Sequence, residues 1–354
     1  MFEHLFWQEG DQKQEAVAQK LAQFIEGARH SLHLAIFDFR LQDETLRGTV
    51  VDALKSRAAT GIQVRIAFDH TRAARKTQLG SDPAPRGTQA FIEEVFAGSR
   101  VQVRPITGSH LMHNKYLIRD GNTAEGAVWT GSANWTDDAW TVQENNIAII
   151  QSRDLCFFYE RDFGELWTTG DIQNTGLGDL GSVRIEGHEL DVAFSPGEGR
   201  RIDHDVAYYL GAAHRRVRLC AMVVSSGAVL GALTDVIQNP AVDFIGVVDA
   251  TQMRGVEEDW SRSPASAPKL KLWNALKPHL HGKHSHPYRD DGIHDFMHNK
   301  ILVADDVVVT GSFNFSENAT RNAENIVAFH NRTVADAYTA FIDKIAATYP
   351  QLPG

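Results

Sequence analysis

Apolar and polar positions alternate along this chain in an order that occurs twice. Residues 31–39 (SLHLAIFDF) and 216–224 (RVRLCAMVV) are β-rich runs, and each is preceded by a predicted helix, over 14–28 and 203–214. A second helix follows each run. In the later half Val229, Leu233, Val236 and Ile237 fall at i, i+4, i+7 and i+8 on one helical face, and Asn239-Pro240 stops the helix. Further strands are predicted over 62–69 and 242–249, and aromatic-rich helices over 154–167 and 334–349 close the halves. Strand, helix and strand in succession imply a parallel pair with a crossover. Each half is therefore expected to be an α/β sandwich around a mixed, largely parallel sheet.

The recurrence is an internal repeat. The run at 31 matches that at 216, and His113-Asn114-Lys115 matches His298-Asn299-Lys300, both 185 residues apart. The expected domains are 1–180 and 181–354. Between them, residues 170–199 carry Gly170, Gly176, Gly178, Gly181, Gly187, Gly197 and Gly199, a composition that predicts a surface linker. The longest segments without periodicity, 71–105 and 251–295, occupy equivalent places just ahead of the two His-x-Lys runs, where long loops are usually functional or mobile.

A chain of 354 residues with 43% apolar content suits two domains of about 170 residues each. Its start lacks the basic and apolar stretches of a signal peptide, and no run approaches the ~20 apolar residues of a membrane span, so a cytoplasmic location without stable membrane insertion is expected. Cys156 and Cys220 lie in apolar stretches and read as buried free thiols. The net charge of −10 excludes a protein that coats nucleic acid non-specifically. A polyanion would need a local basic groove, for which Arg72, Arg75, Lys76 and Arg86 in one loop-like segment, and Lys269, Lys271, Lys277 and Lys283 in another, are candidates, with Trp260 and Trp273 available to stack on bases. Glu257, Glu258, Asp259, Asp290 and Asp291 in the second segment weigh against it. His279, His281, His284, His286 and His294 match no established zinc-ligand spacing, so no metal site is expected.

The chemistry concentrates in two segments. HNKYLIRD (113–120) is followed by GSANW (131–135) and QENN (143–146); HNKILVAD (298–305) is followed by GSFNF (311–315) and AEN (323–325). From Asn134 to Glu144 and from Asn314 to Glu324 the separation is ten residues in both. In a strand alternate side chains share a face, so His113 points with Lys115 and His298 with Lys300. A phosphodiester anion needs cations and amide donors on its oxygens, which Lys115, Lys300, Asn134 and Asn314 supply. One histidine can attack phosphorus while the other protonates the leaving oxygen and then activates water. Glu144 and Glu324 are positioned to accept from an imidazole and fix its tautomer. Asp120 and Asp305, each at a strand end, suit an ion-pair or turn-capping role as well as chemistry. Ser132 and Ser312 are turn residues or phosphate donors.

These residues resemble the phospholipase D superfamily, with its duplicated H-x-K-x4-D motifs followed by G-S/G-x-N, and the likeness runs through nearly the whole chain. The resemblance implies two halves packed about a pseudo-twofold axis, one site built from both motifs in a monomer, and metal-independent hydrolysis without a cofactor. It also implies His113 and His298 as nucleophile and general acid, with the N-terminal histidine favoured as nucleophile. Intact Asp120 and Asp305 set the chain apart from the tyrosyl-DNA phosphodiesterase branch. GSFNFSENATRNAEN is similar to compact nuclease and cardiolipin-hydrolase members, so the expected substrate is nucleic acid, single-stranded rather than duplex, with a phospholipid headgroup as the alternative. A non-catalytic phosphate-binding module is disfavoured by two complete motifs.

Overall fold

The computed structural model describes residues 2–70, 87–289 and 292–353. The first half contributes β1 (Phe2–Trp7), α1 (Gln14–Glu26), β2 (Ser31–Ile36), β3 (Phe39–Arg40), α2 (Glu44–Ala59), β4 (Gln63–Asp69), α3 (Thr88–Phe96) and β5 (Gln102–Ile106). It continues through β6 (Lys115–Arg119), β7 (Ala127–Gly131), β8 (Trp135–Thr136), α4 (Asp137–Thr141), β9 (Asn145–Gln151) and α5 (Arg153–Thr169). In the second half come β10 (Leu180–Ile185), β11 (His188–Ser195), α6 (Gly199–Gly211), β12 (Arg216–Ala221), α7 (Gly227–Gln238), β13 (Asp243–Asp249), α8 (Ala250–Ser261) and α9 (Ala267–Leu276). The chain closes with β14 (Leu280–Lys283), β15 (Lys300–Ala304), β16 (Val307–Gly311), β17 (Glu324–His330) and α10 (Arg332–Ala346).

Two large sheets result, ordered β1-β9-β7-β6-β2-β4-β5 and β10-β11-β17-β16-β15-β12-β13-β14. The crossovers make β2-β4-β5 and β12-β13-β14 parallel. The His-x-Lys strands β6 and β15 run antiparallel to both neighbours, because short connections to β7 and β16 form hairpins. The expectation of largely parallel pairing is therefore met at one edge of each sheet only.

Three apolar cores stack across the molecule. The outer faces are filled by α1, α2 and α3 in the first half and by α6, α7 and α9 in the second. A central core is shared: Tyr159, Phe163 and Leu166 of α5 and Tyr338, Phe341 and Ile342 of α10 pack together with strand residues of both sheets. This common core fixes one half against the other.

Two expectations about connecting segments change. Residues 170–199 are not only linker, since β10 and β11 form an edge hairpin of the second sheet, burying Val183, Ile185, Leu190, Val192 and Phe194. Its turn places Glu186 and Gly187 at positive φ, as a two-residue hairpin loop requires; the glycine-rich composition obscured the alternation. Within 251–295, α8, α9 and β14 replace most of the expected irregular loop. Trp260 and Trp273 are buried in the outer core, with Trp273 Nε1 donating to Glu257, so neither is available to a base. Cys156 and Cys220 are buried free thiols, and among the described residues no helix is long and apolar enough to cross a membrane.

Candidate active site

Each His-x-Lys segment reaches its sheet where β2 or β12 ends, with Ile36 opposite Lys115 and Ala221 opposite Lys300. The approach is pinned twice. The strand-end carboxylates Asp69 and Asp249 accept from the backbone N–H of Met112 (2.7 Å) and Met297 (3.0 Å). The segment is also stitched to the opposite half: His113 N–H donates to Ala323 O at 2.8 Å, and His298 N–H to Glu144 O at 3.2 Å. The motifs therefore converge at the interface rather than in separate halves.

The glycines of GSxN follow from the same geometry. Gly131 and Gly311 adopt φ of 154° and 142°, and a Cβ would stand 2.2 Å from the carbonyl oxygen of Asn146 or Asn325. The next residues, Ser132 and Ser312, are fully buried and accept from the N–H groups of Asn146 (3.1 Å) and Asn325 (3.0 Å). They tie strands together rather than facing a phosphate. Asn134 is buried and Asn314 half-buried, and among the described residues the Oδ1 of each has no hydrogen-bond partner, so the fold described does not use these amide oxygens.

Lys115 and Lys300 are buried, and each Nζ donates to the carbonyl of the histidine two residues before it, at 2.8 Å for Lys115. Lys115 also lies 4.9 Å over the ring of Phe37, which packs edge-on against His113. Burial lowers Lys115 to about 7, with Glu324, Asp38 and Asp69 opposing, and lowers Lys300 well below its usual range, aided by Lys115. An arriving phosphodiester anion supplies the charge that would restore both ammonium groups.

The histidines differ in what holds them. His113 Nδ1 donates to Glu324 Oε2 across the interface at 2.7 Å, and Asn322 Nδ2 anchors the other carboxylate oxygen at 3.0 Å. His298 Nδ1 meets Asn145 Oδ1 at 3.0 Å. That amide is oriented, because its Nδ2 donates to Ala139 O and Gln143 Oε1 while its Oδ1 also accepts from Ser132. Burial lowers His113 to about 4, opposed by Glu324; burial and then Lys300 and Lys115 lower His298 well below its usual value.

Glu144 departs from its expected role. Ser132 receives the N–H of Asn146 and Ser312 that of Asn325, so the equivalent of Glu324 is Asn145, one residue beyond Glu144. Equal spacing in sequence conceals an extra residue between GSAN and β9. Glu144 is buried with Lys283, Oε2 to Nζ 2.8 Å, and accepts a short bond from Tyr349. Asp120 and Asp305 lie about 17 Å along their strands from the lysines. Asp120 accepts from the N–H groups of Arg29, His30 and Ser31, and Asp305 from those of His214, Arg215 and Arg216. Both carboxylates order the turns entering β2 and β12.

The expected basic loops fare differently. Arg72, Arg75, Lys76 and Arg86 lie outside the described residues, as do Asp290 and Asp291. Lys269 is paired with Glu317 at 2.6 Å, Lys277 with Glu257 at 3.4 Å and Lys283 with Glu144, while Lys271 is exposed on α9; these lysines do not assemble a basic groove. The histidine-rich stretch is dispersed too: His281 bonds Tyr349 O, His286 pairs with Asp295, and His294 packs nearly parallel to both Tyr288 and Phe296. Sequence reasoning missed Asn145, Phe37, Asp69 and Asp249. The doubled Asn of QENN and the Asp ending each parallel strand were the available signals. The segment leading into His113 borders a groove of about 880 Å³ lined by Thr107, Gly108, His110, Asp171, Thr320 and Arg321 among others.

A family described as cardiolipin synthase, PLD-like domain, matches residues 21–167 and 207–346. The mitochondrial cardiolipin hydrolase of Xenopus tropicalis is 30% identical over 141 residues, 40% of this chain and 56% of that protein, so this chain spans little more than half the length of that relative. Phosphatidylserine synthase from Haemophilus influenzae superposes with a TM-score of 0.66 over 99% of this chain and 87% of its own, at 11% identity. Nuc, a phospholipase D family member from Salmonella typhimurium, aligns with 47% of this chain and 98% of its own at 22% identity, with a TM-score of 0.36.

Proposed function

The chain belongs to the phospholipase D superfamily of phosphodiester-cleaving and phosphodiester-transferring enzymes, and on that premise we propose that it is a metal-independent nuclease acting on single-stranded nucleic acid through a phosphohistidine intermediate. The observation that carries the mechanism is the unequal support of two histidines beside two buried lysines.

His113 is the nucleophile. Attack by its Nε2 lone pair on phosphorus places positive charge on the ring, which the Glu324 carboxylate at Nδ1 offsets. As the P–N bond forms, the bond from phosphorus to the leaving oxygen breaks, and that oxygen takes the proton from His298 Nε2. An imidazolium facing a neutral amide and two lysines gives up its proton readily. Neutral His298 then removes a proton from water, the hydroxide attacks phosphorus, the P–N bond breaks and a phosphomonoester departs. Lys115, Lys300, Asn134 and Asn314 hold the non-bridging oxygens throughout.

A cardiolipin-type headgroup hydrolase is the second reading, favoured by the name of the Xenopus relative. Cleavage of single-stranded DNA, duplex DNA, RNA, cardiolipin and phosphatidylcholine is to be compared side by side in excess EDTA. The nuclease reading expects single-stranded nucleic acid to be cut; cleavage of lipid alone overturns it, and loss of all activity in EDTA overturns the metal-free mechanism.

A further inference from the structure

We propose that Tyr288, His294 and Phe296 form a stacking panel for the nucleobase on the leaving side of the scissile phosphate, an inference that rests on the nuclease reading. The ring centroids of Tyr288 and His294 are 5.1 Å apart with planes 18° from parallel, and those of His294 and Phe296 are 5.2 Å apart at 20°. Tyr288 and Phe296 are 6.4 Å apart at 24°. The three nearly parallel rings thus form a compact triangle in which Phe296 is buried and Tyr288 is 54% exposed. Phe296 is two residues before His298, and the Glu144 backbone joins both, its N–H donating to Phe296 O at 3.3 Å and its carbonyl accepting from His298 N–H at 3.2 Å. The panel therefore flanks the group that protonates the leaving oxygen.

The rings are held in place before any ligand arrives. His294 Nε2 bonds Arg289 O at 2.7 Å, and its N–H donates to Asp138 Oδ2 at 3.0 Å. Gln143 Nε2 donates to His294 O at 2.7 Å, and Glu144 N–H to Phe296 O at 3.3 Å. Asp138, Gln143 and Glu144 all come from the first half, so the interface that assembles the site also braces the panel. A braced ring surface loses little freedom on stacking.

The repeat makes the feature specific to one flank. At the same separation from His113 stand Leu111 and Ser109 in place of Phe296 and His294, and that flank opens into the polar groove containing His110 and Arg321. A flat heteroaromatic ring with polar edges suits the ring-bearing flank, whose margin carries Asp138, Gln143 and the His286–Asp295 pair. A flexible acyl chain would desolvate those groups without return. Base–aromatic stacking of this kind tolerates any sequence.

The test uses the full chain with His113→Asn, which holds substrate without turnover, and single-stranded DNA carrying 2-aminopurine immediately beyond the scissile phosphate on the leaving side. We expect fluorescence quenching on binding, loss of that quenching with Tyr288→Ala, binding about tenfold weaker or more, and retention of both with Tyr288→Phe. With an oligonucleotide abasic at that position, Tyr288→Ala should no longer change the affinity. Cleavage of single-stranded DNA by the otherwise native chain, with quenching and affinity indifferent to Tyr288→Ala, overturns the panel and leaves the nuclease reading standing. Absence of nucleic-acid cleavage and binding altogether overturns the nuclease reading itself. Weakened binding to cardiolipin vesicles by Tyr288→Ala, with DNA binding unchanged, reassigns the rings to lipid and overturns the proposal.

Discussion

His113 and Glu324 come from opposite halves of the chain, yet Nδ1 of one stands 2.7 Å from Oε2 of the other. The imidazole of one half is thus held by a carboxylate of the other. Replacing Glu324 with Gln keeps the shape but removes the charge that offsets the attacking imidazole. Turnover should fall by roughly 10²- to 10⁴-fold, measured as kcat on the best substrate, with thermal stability checked alongside. Unchanged kcat would remove Glu324 from the mechanism.

Asn145→Asp gives His298 the kind of partner that His113 already has. His298 is held low by burial and by Lys300, and a carboxylate at Nδ1 raises it, so the ring stays protonated to higher pH. The alkaline limb of the kcat profile, which reports the protonated acid, should move upward in pH. A limb that stays put, in a variant of normal stability, contradicts His298 as proton donor.

Asp120 and Asp305 belong to the motif by pattern, yet their carboxylates face turns far from the lysines. Asp120→Asn or Asp305→Asn should cost about 1–3 kcal/mol of stability while folded enzyme keeps its kcat. For Asp305, backbone N–H groups outweigh the upward push of burial and lower its pKa. Its contribution is full at neutral pH and fades as pH falls below about 4. Chemical denaturation at two pH values checks this; a large kcat loss in either folded variant argues against it.

Lys283 is buried against Glu144, and burial alone pushes that carboxyl upward. Lys283→Met leaves the carboxylate unpaired and should destabilise the chain by about 3–5 kcal/mol. Adding Glu144→Gln should restore much of that, because no buried charge remains. Failure of the second substitution to recover stability would mean that Lys283 acts through something other than this pair.

The duplicated order of elements was legible in the sequence, since periodicity and a repeat encode it directly, and the convergence of His113, Lys115, His298 and Lys300 was implied by the resemblance to the superfamily. Register was not. The extra residue before β9 shifts Asn145 into the place of Glu324, and equal counting assigned Glu144 instead; only backbone pairing, with Ser132 on Asn146, reveals it. Trp260 and Trp273 looked available because amphipathic helices in an inserted segment resemble loop when charged residues dominate their outer faces. The β10–β11 hairpin was hidden by glycines at its turn and flanks. The ring panel was invisible because stacking depends on where three separated side chains meet.

We propose that both halves form one site in which His113 carries the phosphoryl group. The direct measurement is a single turnover of single-stranded DNA, labelled on the scissile phosphate, by the His298→Asn chain in excess EDTA, followed by mapping of the labelled residue. We predict an acid-labile, alkali-stable label on His113, with His113→Asn unlabelled and both variants slowed by several orders of magnitude. Near-normal turnover in both single variants, or a label on any other residue, would contradict the account.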